Sequence, residues 1–170
     1  MGASSSPSPL ADAPPAPAAA GLGCRLARDA EELAAHFAVR RAIFVEAQRL
    51  FERDDRDAHD DDPATLHAVG LAGGDVAGAV RLYPLDAAGR WKGDRLAVLP
   101  GSRQHRLGAE LVRFAVATAG ARGGDVMEAQ IQLANVAFFL RLGWRADGAV
   151  ADMLGVPHQP MAIGLTFPGR

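Results

Sequence analysis

Three potentially cationic side chains stand where a helix is predicted to begin. They are Arg103, His105 and Arg106, within the stretch RLAVLPGSRQHRLGAELVRFAVATAG. A helix N-terminus carries partial positive charge and unpaired N–H groups, so cations are unfavourable there unless an anion binds. The segment therefore predicts a phosphate or carboxylate site. The alternative is a set of solvated charges whose cost, typically under about 1 kcal/mol each, is tolerated.

The glycines near the start of this helix limit which kinds of anion site the segment can form. Pro100 and Gly101 interrupt the preceding strand, and Gly108 lets a ligand approach the backbone. The stretch GSRQHRLG lacks the Gly-Lys-Ser/Thr end of a nucleotide-binding P-loop. It also lacks the G-x-G-x-x-G glycines of a dinucleotide-binding turn. Both of these nucleotide sites are therefore excluded.

A run of acidic residues between positions 54 and 62 raises the question of a metal site. The members are Asp54, Asp55, Asp57, His59, Asp60, Asp61 and Asp62. The run lacks the regular oxygen spacing and central glycine of a calcium-binding EF-hand loop. We therefore predict no metal and a solvated acidic loop, with attraction of cationic amines as the alternative role.

The composition limits the number of domains and the classes of partner. The chain has 170 residues, 49% of them hydrophobic, which favours one domain with one core. A formal net charge of -2 gives no electrostatic footprint for nucleic acid, and the single cysteine allows no disulfide framework.

The N-terminal residues differ in composition from the rest of the chain. Residues 1–22 are rich in Ala, Pro and Ser and predict a disordered tail, which leaves residues 23–170 as the single domain. The chain shows neither a signal-peptide pattern nor an apolar run of the roughly 20 residues that cross a bilayer. We expect a soluble, cytoplasmic protein without a membrane partner.

The elements that must position these residues are predicted in the order βααβββαβαββ. Asp29 and Glu32 form a capping-box pattern, and helical spacing then continues to about Phe51, as one helix or as two with a break near Val39. Strands are predicted in GCRLAR, TLHAVGLA, VAGAVRLYPL, RLAVL, DVMEAQIQLA, AVADML and MAIGLTF, and a short helix in NVAFFLRLGW with Asn135 as its cap.

Two of these elements carry clear periodicity. The helix after RLAVL has an apolar stripe made by Leu107, Leu111, Phe114 and Ala115. The strand DVMEAQIQLA alternates, with Met127, Ala129, Ile131 and Leu133 on one face and Glu128, Gln130 and Gln132 on the other. The polar stripe predicts a lined groove, and a solvated face is the alternative.

Four stretches together resemble a known family. RQHRLGA resembles the pyrophosphate-binding loop of GNAT acetyltransferases, Gln/Arg-x-x-Gly-x-Gly/Ala, with Arg106 at the first glycine, and NVAFFLRLGW resembles their second signature. A narrower resemblance, over about residues 24–165, is to the nitrogen-starvation N-acetyltransferase subfamily. The stretches that carry it are RRAIFVEAQRLFERDDRDAHDDD, WKGDRLAV, FFLRLGW and GVPHQPM. The resemblance implies a mixed α/β (α+β) fold whose sheet of about six or seven strands is flanked by helices and splayed between strands 4 and 5.

The resemblance implies acetyl-CoA as the cofactor, and no metal. Strand edges would bind its pantetheine arm, and backbone amides at the helix start would bind its diphosphate, with Arg106 in an ordinary helical conformation. The implied contacts are Leu96, Ala97, Val98, Arg103, Gln104, His105, Arg106, Leu107, Gly108, Ala109, Asn135, Phe139 and Arg141. Asn135 has helix capping as its alternative role, and Arg141 has a solvated charge.

Catalysis would require a base, because an amine with a pKa near 10.4 is mostly protonated at neutral pH. Glu128 on the polar stripe is the first candidate, and His158, expected in the turn GVPHQP, is the second. Phe139 replaces the tyrosine that many GNATs use as an acid. Thiols ionise near pH 8.5, so the thiolate can leave unaided.

The acceptor side is assigned to five residues. Arg40, Phe44 and Gln48 match the subfamily segment, although Ala47 replaces its expected glutamate; the remaining two are Arg81 and Gln130. Arg81 lies in an apolar strand and must pair with a carboxylate, either as a structural pair or through substrate.

The function implied is transfer of acetyl from acetyl-CoA to the amine of a small molecule, by direct attack in a ternary complex. Phe139 and Ala47 motivate one alternative, a non-catalytic acyl-CoA sensor. A second alternative is an acyl-homoserine-lactone-synthase-like acyltransferase. The resemblance also allows a homodimer, since dimers are common in that superfamily.

Overall fold

In the computed structural model, which describes residues 21–165 without the side chains of Gln104 and His105, the strands form one eight-stranded sheet. The strands are β1 (Gly23–Leu26), β2 (Leu66–Ala72), β3 (Asp75–Pro84), β4 (Arg90–Val98), β5 (Val126–Gln132), β6 (Arg145–Ala146), β7 (Ala151–Met153) and β8 (Val156–Gly164). The α-helices are α1 (Ala30–Arg40), α2 (Leu107–Ala121) and α3 (Val136–Arg141). The predicted tail lies outside the described residues, apart from its last two.

The sheet is mixed, as predicted. Its order is β1-β2-β3-β4-β5-β8-β6, and β7 pairs with β8. β4 and β5 are parallel, whereas each of the other neighbouring pairs is antiparallel. The mixed α/β fold expected from the sequence is therefore confirmed, with one short strand, β6, that was not predicted, whereas β7 falls within the predicted strand AVADML.

Helix α1 begins at its predicted cap but continues differently from either expectation. The Asp29 side chain accepts a hydrogen bond from the Glu32 backbone N–H at 2.8 Å. After Arg40 the chain enters a π-helical segment, Arg41–Ala47, without a break near Val39. Single turns of π-helix are rare and often occur at functional sites.

Helix α2 packs closely on the sheet because two strand residues opposite it lack side chains. A Cβ at Gly78 would lie 2.7 Å from Leu111 Cδ1, and one at Gly70 would lie 3.0 Å from the same atom. Leu107 and Leu111 are fully buried there, and Ala115 is 2% exposed. The predicted stripe of α2 thus forms the main core.

The sheet opens between β4 and β5. Pairing of these strands is confined to Arg90–Lys92 against Val126–Glu128, after which they separate. A β-bulge in β4 places Arg95 in a left-handed conformation, with φ of 53°, beside this opening. Bulges bend a strand and are common next to active sites. The predicted splay between the fourth and fifth strands is confirmed.

The C-terminal part departs from the sequence prediction. GVPHQP was expected to be a turn, but most of it lies within β8, and the reversal occurs at Leu154 and Gly155, whose φ angles are 55° and 77°. Leu133 is 46% exposed in a 3₁₀ turn after β5, so it does not extend the apolar face. None of the helices within residues 21–165 combines the length and apolar character that a membrane crossing requires.

Two members of the acidic run, Asp55 and Asp60, belong to a buried ion-pair cluster, which corrects the expectation of a solvated loop at these positions, whereas the other members of the run are exposed. Asp55 and Asp60 are each 1% exposed in their side chains. Arg40 Nε donates to Asp55 Oδ2 at 2.7 Å, and Arg40 Nη1 donates to Asp60 Oδ1 at 2.7 Å. Arg81 binds Asp94 Oδ2 at 2.7 Å, and its Nη1 lies 3.0 Å from Asp60 Oδ2. The cluster fastens the loop after the π-helical segment to the sheet.

A buried histidine beside this cluster predicts a loss of stability in acid. His36 Nδ1 donates to the Ala68 carbonyl at 2.8 Å, and burial lowers the pKa of His36 to about 3. The unfolded chain takes up this proton near pH 6.5, so the folded state loses about 1.4 kcal/mol per pH unit as the pH falls from about 6. The carboxylates of the unfolded chain protonate only below about pH 5. Denaturant unfolding between about pH 6.5 and 5 therefore measures the histidines' contribution to the pH dependence of the free energy of unfolding. His67, whose pKa burial also lowers, contributes in the same direction.

The variant His36→Gln should reduce that slope, because it removes the proton that only the unfolded state binds. An unchanged dependence of the free energy of unfolding on pH in a folded His36→Gln protein would contradict this assignment.

Candidate active site

A cavity of about 210 Å³ occupies the opening between β4 and β5. Its walls come from the two strands, α2, the segment around Phe44–Phe51 and the β7–β8 hairpin. Seven residues predicted from the sequence for the site line it, namely Leu96, Phe44, Gln48, Gln130, Asn135, Phe139 and His158.

The two faces of β5 give the cavity an apolar and a polar wall. Met127, Ala129 and Ile131 are buried toward the core that α2 completes. On the opposite face, Gln132 Nε2 donates to Gln48 Oε1 at 3.1 Å. This hydrogen bond joins β5 to the end of the π-helical segment. Gln130 and Gln132 of the polar stripe therefore line a groove beneath that segment.

The facing edges of β4 and β5 can bind an amide-bearing chain. Beyond Lys92 and Glu128 these two edges have no strand partner within the described residues. Backbone N–H and C=O groups in such an edge need hydrogen-bond partners, which a pantetheine arm with its amides supplies. Leu96 lines the cavity, whereas Ala97 is buried in a separate cluster with Val39 and Ile43. The Val98 carbonyl accepts a hydrogen bond from Arg103 Nε at 3.2 Å.

The predicted anion site consists of a 3₁₀ helix, Pro100–His105, followed by the start of α2 at Leu107. Arg106 joins them with φ of 63° and ψ of 10°, a left-handed conformation. The expectation of an ordinary helical conformation was therefore wrong. Because glycine adopts the left-handed region without steric cost, the glycine of the family pattern fits this position.

The first turn of α2 leaves backbone donors available. No side chain caps this helix, so the N–H groups of Leu107, Gly108 and Ala109 have no acceptor within it. Arg103 and Arg106 are both exposed beside them. These donors and charges fit an anion of the diphosphate type.

The residues predicted on α3 occupy three different environments. Phe139 is 6% exposed and packs edge-on against Trp144, with ring centroids 5.3 Å apart. Asn135 is exposed at the N-cap position of α3, as predicted, but its side chain makes no capping hydrogen bond, and the residue lines the cavity. Arg141 is exposed in the last turn and lies outside the cavity lining.

Glu128 does not occupy the position that a general base requires. Arg90 holds it through Nε to Oε1 at 2.8 Å and Nη2 to Oε2 at 3.1 Å. This hydrogen bonding lowers the pKa of Glu128 below its ordinary value, which makes the carboxylate a weaker base. Glu128 is also absent from the cavity lining. The expectation is corrected on these grounds.

His158 is placed better for proton transfer. It lies on β8 opposite Gln132 and lines the cavity. Its Nδ1 is 2.8 Å from the Val156 carbonyl, which can only accept, so Nδ1 carries the proton. In the neutral ring, Nε2 then keeps a lone pair that can accept a proton.

Arg40 and Arg81 do not contact an acceptor. Both guanidinium groups are fully buried and bound by carboxylates. Neither residue lines the cavity. Their roles are structural, which corrects the substrate assignment and resolves the alternatives left open for Arg81.

Lys92 is a further lining residue that was not predicted from the sequence. It lies in β4 at the last position paired with β5, is partly buried, and lines the cavity. Its position gave little signal, because Lys92 stands three residues before RLAVL, the strand predicted to part from its neighbour, whereas in the structure that strand, β4, already begins at Arg90.

Comparison with known proteins decides the family. The sequence profile of the acetyltransferase (GNAT) family matches residues 38–144. The chain belongs to the GNAT family. This membership confirms the predicted superfamily and the predicted class of enzyme, an acetyl- or acyltransferase.

Solved structures share the fold of this GNAT protein. A putative N-acetyltransferase from Lactobacillus plantarum is 24% identical with a TM-score of 0.76, covering 86% of this chain and 99% of that one. Escherichia coli ElaA is 20% identical with a TM-score of 0.73, covering 83% and 98%. An aminoglycoside 6'-N-acetyltransferase complexed with coenzyme A is 15% identical with a TM-score of 0.67, covering 86% and 99%.

Proposed function

We propose that this GNAT protein transfers an acetyl group from acetyl-CoA to the primary amine of a small molecule, as its resemblance to the nitrogen-starvation subfamily implies. The observation that carries the proposal is the cavity at the splay. It is bordered by two strand edges without partners, and β4 leads directly to the donor-rich start of α2. A solved structure of this fold with coenzyme A bound supports the choice of thioester.

The reaction requires a neutral amine. Its nitrogen lone pair attacks the thioester carbonyl carbon, the C–N bond forms, and the C–S bond breaks with its electron pair moving to sulfur. His158 Nε2 is the proposed acceptor of the proton that the amine loses. The thiolate then takes up a proton, which gives an amide and free coenzyme A.

The position of Phe139 bears on the leaving group. Phe139 is buried against Trp144 and has no proton to donate, so no acid acts on sulfur from this position. A thiol with a pKa near 8.5 leaves as thiolate near neutral pH without one. The replacement of tyrosine is therefore compatible with turnover.

The experiment that tests the proposal is calorimetric titration of the full-length chain with acetyl-CoA, and with S-adenosylmethionine in parallel. Binding of acetyl-CoA alone, followed by amine-dependent release of free coenzyme A, is the expected result. Binding without release from any amine would favour the sensor. Binding of S-adenosylmethionine would favour the lactone-synthase alternative, and binding of neither compound would overturn the proposal.

Charge reversal at the proposed diphosphate site tests its placement. The double variant Arg103→Glu and Arg106→Glu should weaken acetyl-CoA binding at least tenfold, a loss of about 1.4 kcal/mol, because it puts two carboxylates beside the α2 donors. Calorimetry on the folded variant measures the change. Arg122→Glu is the matched control, since Arg122 caps the other end of α2, about 22 Å away along the helix. Equal affinity in the double variant and the control would exclude this placement.

A further inference from the structure

We propose that Lys92 binds a carboxylate of the acceptor, so that the enzyme selects apolar amino acids and similar amines that also carry an acid group. This inference rests on the proposed acetyl transfer and specifies the substrate class for it.

Lys92 lies at the closed end of the cavity. It is the last β4 residue paired with β5, directly opposite Glu128, and the strands separate beyond it. A thioester whose diphosphate lies at the start of α2 approaches from the other end of the opening. The space near Lys92 is therefore left to the groups beyond the thioester carbonyl.

The side chain of Lys92 is on the acceptor face of the sheet. Arg90 and Glu128 share one face, since they form an ion pair across the strands. Alternation along the strands puts Lys92, Gln130 and Gln132 on that same face. Gln132 is hydrogen-bonded to Gln48, so this face looks toward the segment after α1.

Among the charged residues that line the cavity, Lys92 is the cation available to a ligand. The charged residues that line the cavity are Lys92, Asp94 and Arg95, together with the titratable His158. Asp94 is bound by Arg81 at 2.7 Å, and Arg95 Nε is 3.1 Å from Asp55 Oδ2. Within residues 21–165, Lys92 is the one charged group of this lining that takes part in no ion pair. A carboxylate would supply the partner, whereas a second ammonium would meet a cation.

The neighbourhood of Lys92 explains why an anion would be bound firmly. Burial lowers the pKa of Lys92, while Asp94 and Glu128, the carboxylates that face it, raise it. Both carboxylates already bind arginines. An anionic ligand in this partly dry site would stabilise the charged form of Lys92 more than a solvated pair does.

The remaining walls fit an apolar side chain. The acceptor side of the cavity is lined by Phe44, Leu50, Phe51, Met153 and Leu154. Met153 is 42% exposed and Leu154 is 61% exposed, so a substrate could cover apolar surface there. Association through such surface is driven by its removal from water. A ligand whose carboxylate contacts Lys92 and whose apolar group packs against this wall would be an apolar amino acid.

Binding of product analogues tests the inference separately from turnover. N-acetyl derivatives of leucine, methionine, valine and phenylalanine, each as free acid and as amide, are titrated calorimetrically into protein saturated with coenzyme A. At least one acid should bind tenfold or more tightly than its amide. Lys92→Met should abolish that preference, and Lys92→Arg should keep it, because arginine retains the charge and cannot serve as a base.

Each outcome bears on the inference. Equal binding of every acid and its amide would overturn it, as would an undiminished preference in Lys92→Met. Thermal unfolding and acetyl-CoA affinity of Lys92→Met should match wild type, which shows that the fold and thioester site are intact. Loss of activity in Lys92→Arg with the binding preference preserved would support the carboxylate contact and give Lys92 a role in proton transfer as well.

The failure of this inference can be told apart from failure of the proposed function. If every amino acid tested released coenzyme A no faster than its amide, the role of Lys92 would be overturned while acetyl transfer stayed intact. Failure to bind acetyl-CoA at all would remove the proposed function itself.

Discussion

Replacing His158 with glutamine is expected to lower kcat by about 10²–10⁴-fold, because general bases contribute on this scale. His158 lines the cavity, and its Nδ1 hydrogen bond to the Val156 carbonyl leaves Nε2 free to take the proton of an amine. Glutamine keeps a polar side chain of similar reach but accepts no proton at neutral pH. Affinity for acetyl-CoA should stay close to wild type, since His158 is assigned to the acceptor's proton.

The control for this prediction is Glu128→Gln. Glu128 is bound by Arg90 outside the cavity lining, so this variant should retain kcat near wild type. A larger loss of kcat in Glu128→Gln than in His158→Gln would reverse the two assignments.

Local sequence patterns predicted which faces of β5 and α2 border the site. Alternation along residues 125–132 predicted that Gln130 and Gln132 lie opposite the apolar core, because a strand turns successive side chains to opposite faces. The apolar stripe of α2 predicted its buried face for the corresponding reason, the helical period. The loop at residues 103–109 was recognised by its residue types, although its left-handed Arg106 was not foreseen.

Long-range pairing could not be predicted from local patterns. The prediction of a solvated acidic run fails where the run meets Arg40 and Arg81, because these partners lie up to 24 residues away in sequence. Periodicity predicted the strand face on which Glu128 lies. It did not predict that Arg90, 38 residues earlier in the sequence, binds the Glu128 carboxylate. A sequence gives the face of a strand on which a charge lies, whereas the sheet topology gives the partner that neutralises it.

The ion-pair cluster gives rise to the largest expected effect on stability. Arg81→Met should lower the free energy of unfolding by about 3–5 kcal/mol, because it removes from three carboxylates, Asp60 fully buried among them, the arginine that they share. The Arg81 side chain is fully buried and contacts Asp57, Asp60 and Asp94 at 2.6, 3.0 and 2.7 Å. Denaturant unfolding at pH 7 measures the change. Arg122→Met, at an exposed helix end, should change it by less than about 0.5 kcal/mol.

A second substitution separates charge from packing in this prediction. Asp94→Asn added to Arg81→Met should recover part of the lost stability, because the pair of changes removes one of the uncompensated carboxylates. If the lost packing of the arginine side chain were the cause, the second substitution would recover nothing. Since Asp94 also lines the cavity beside Lys92, recovery would show that Arg81 neutralises a carboxylate at the border of the proposed acceptor site.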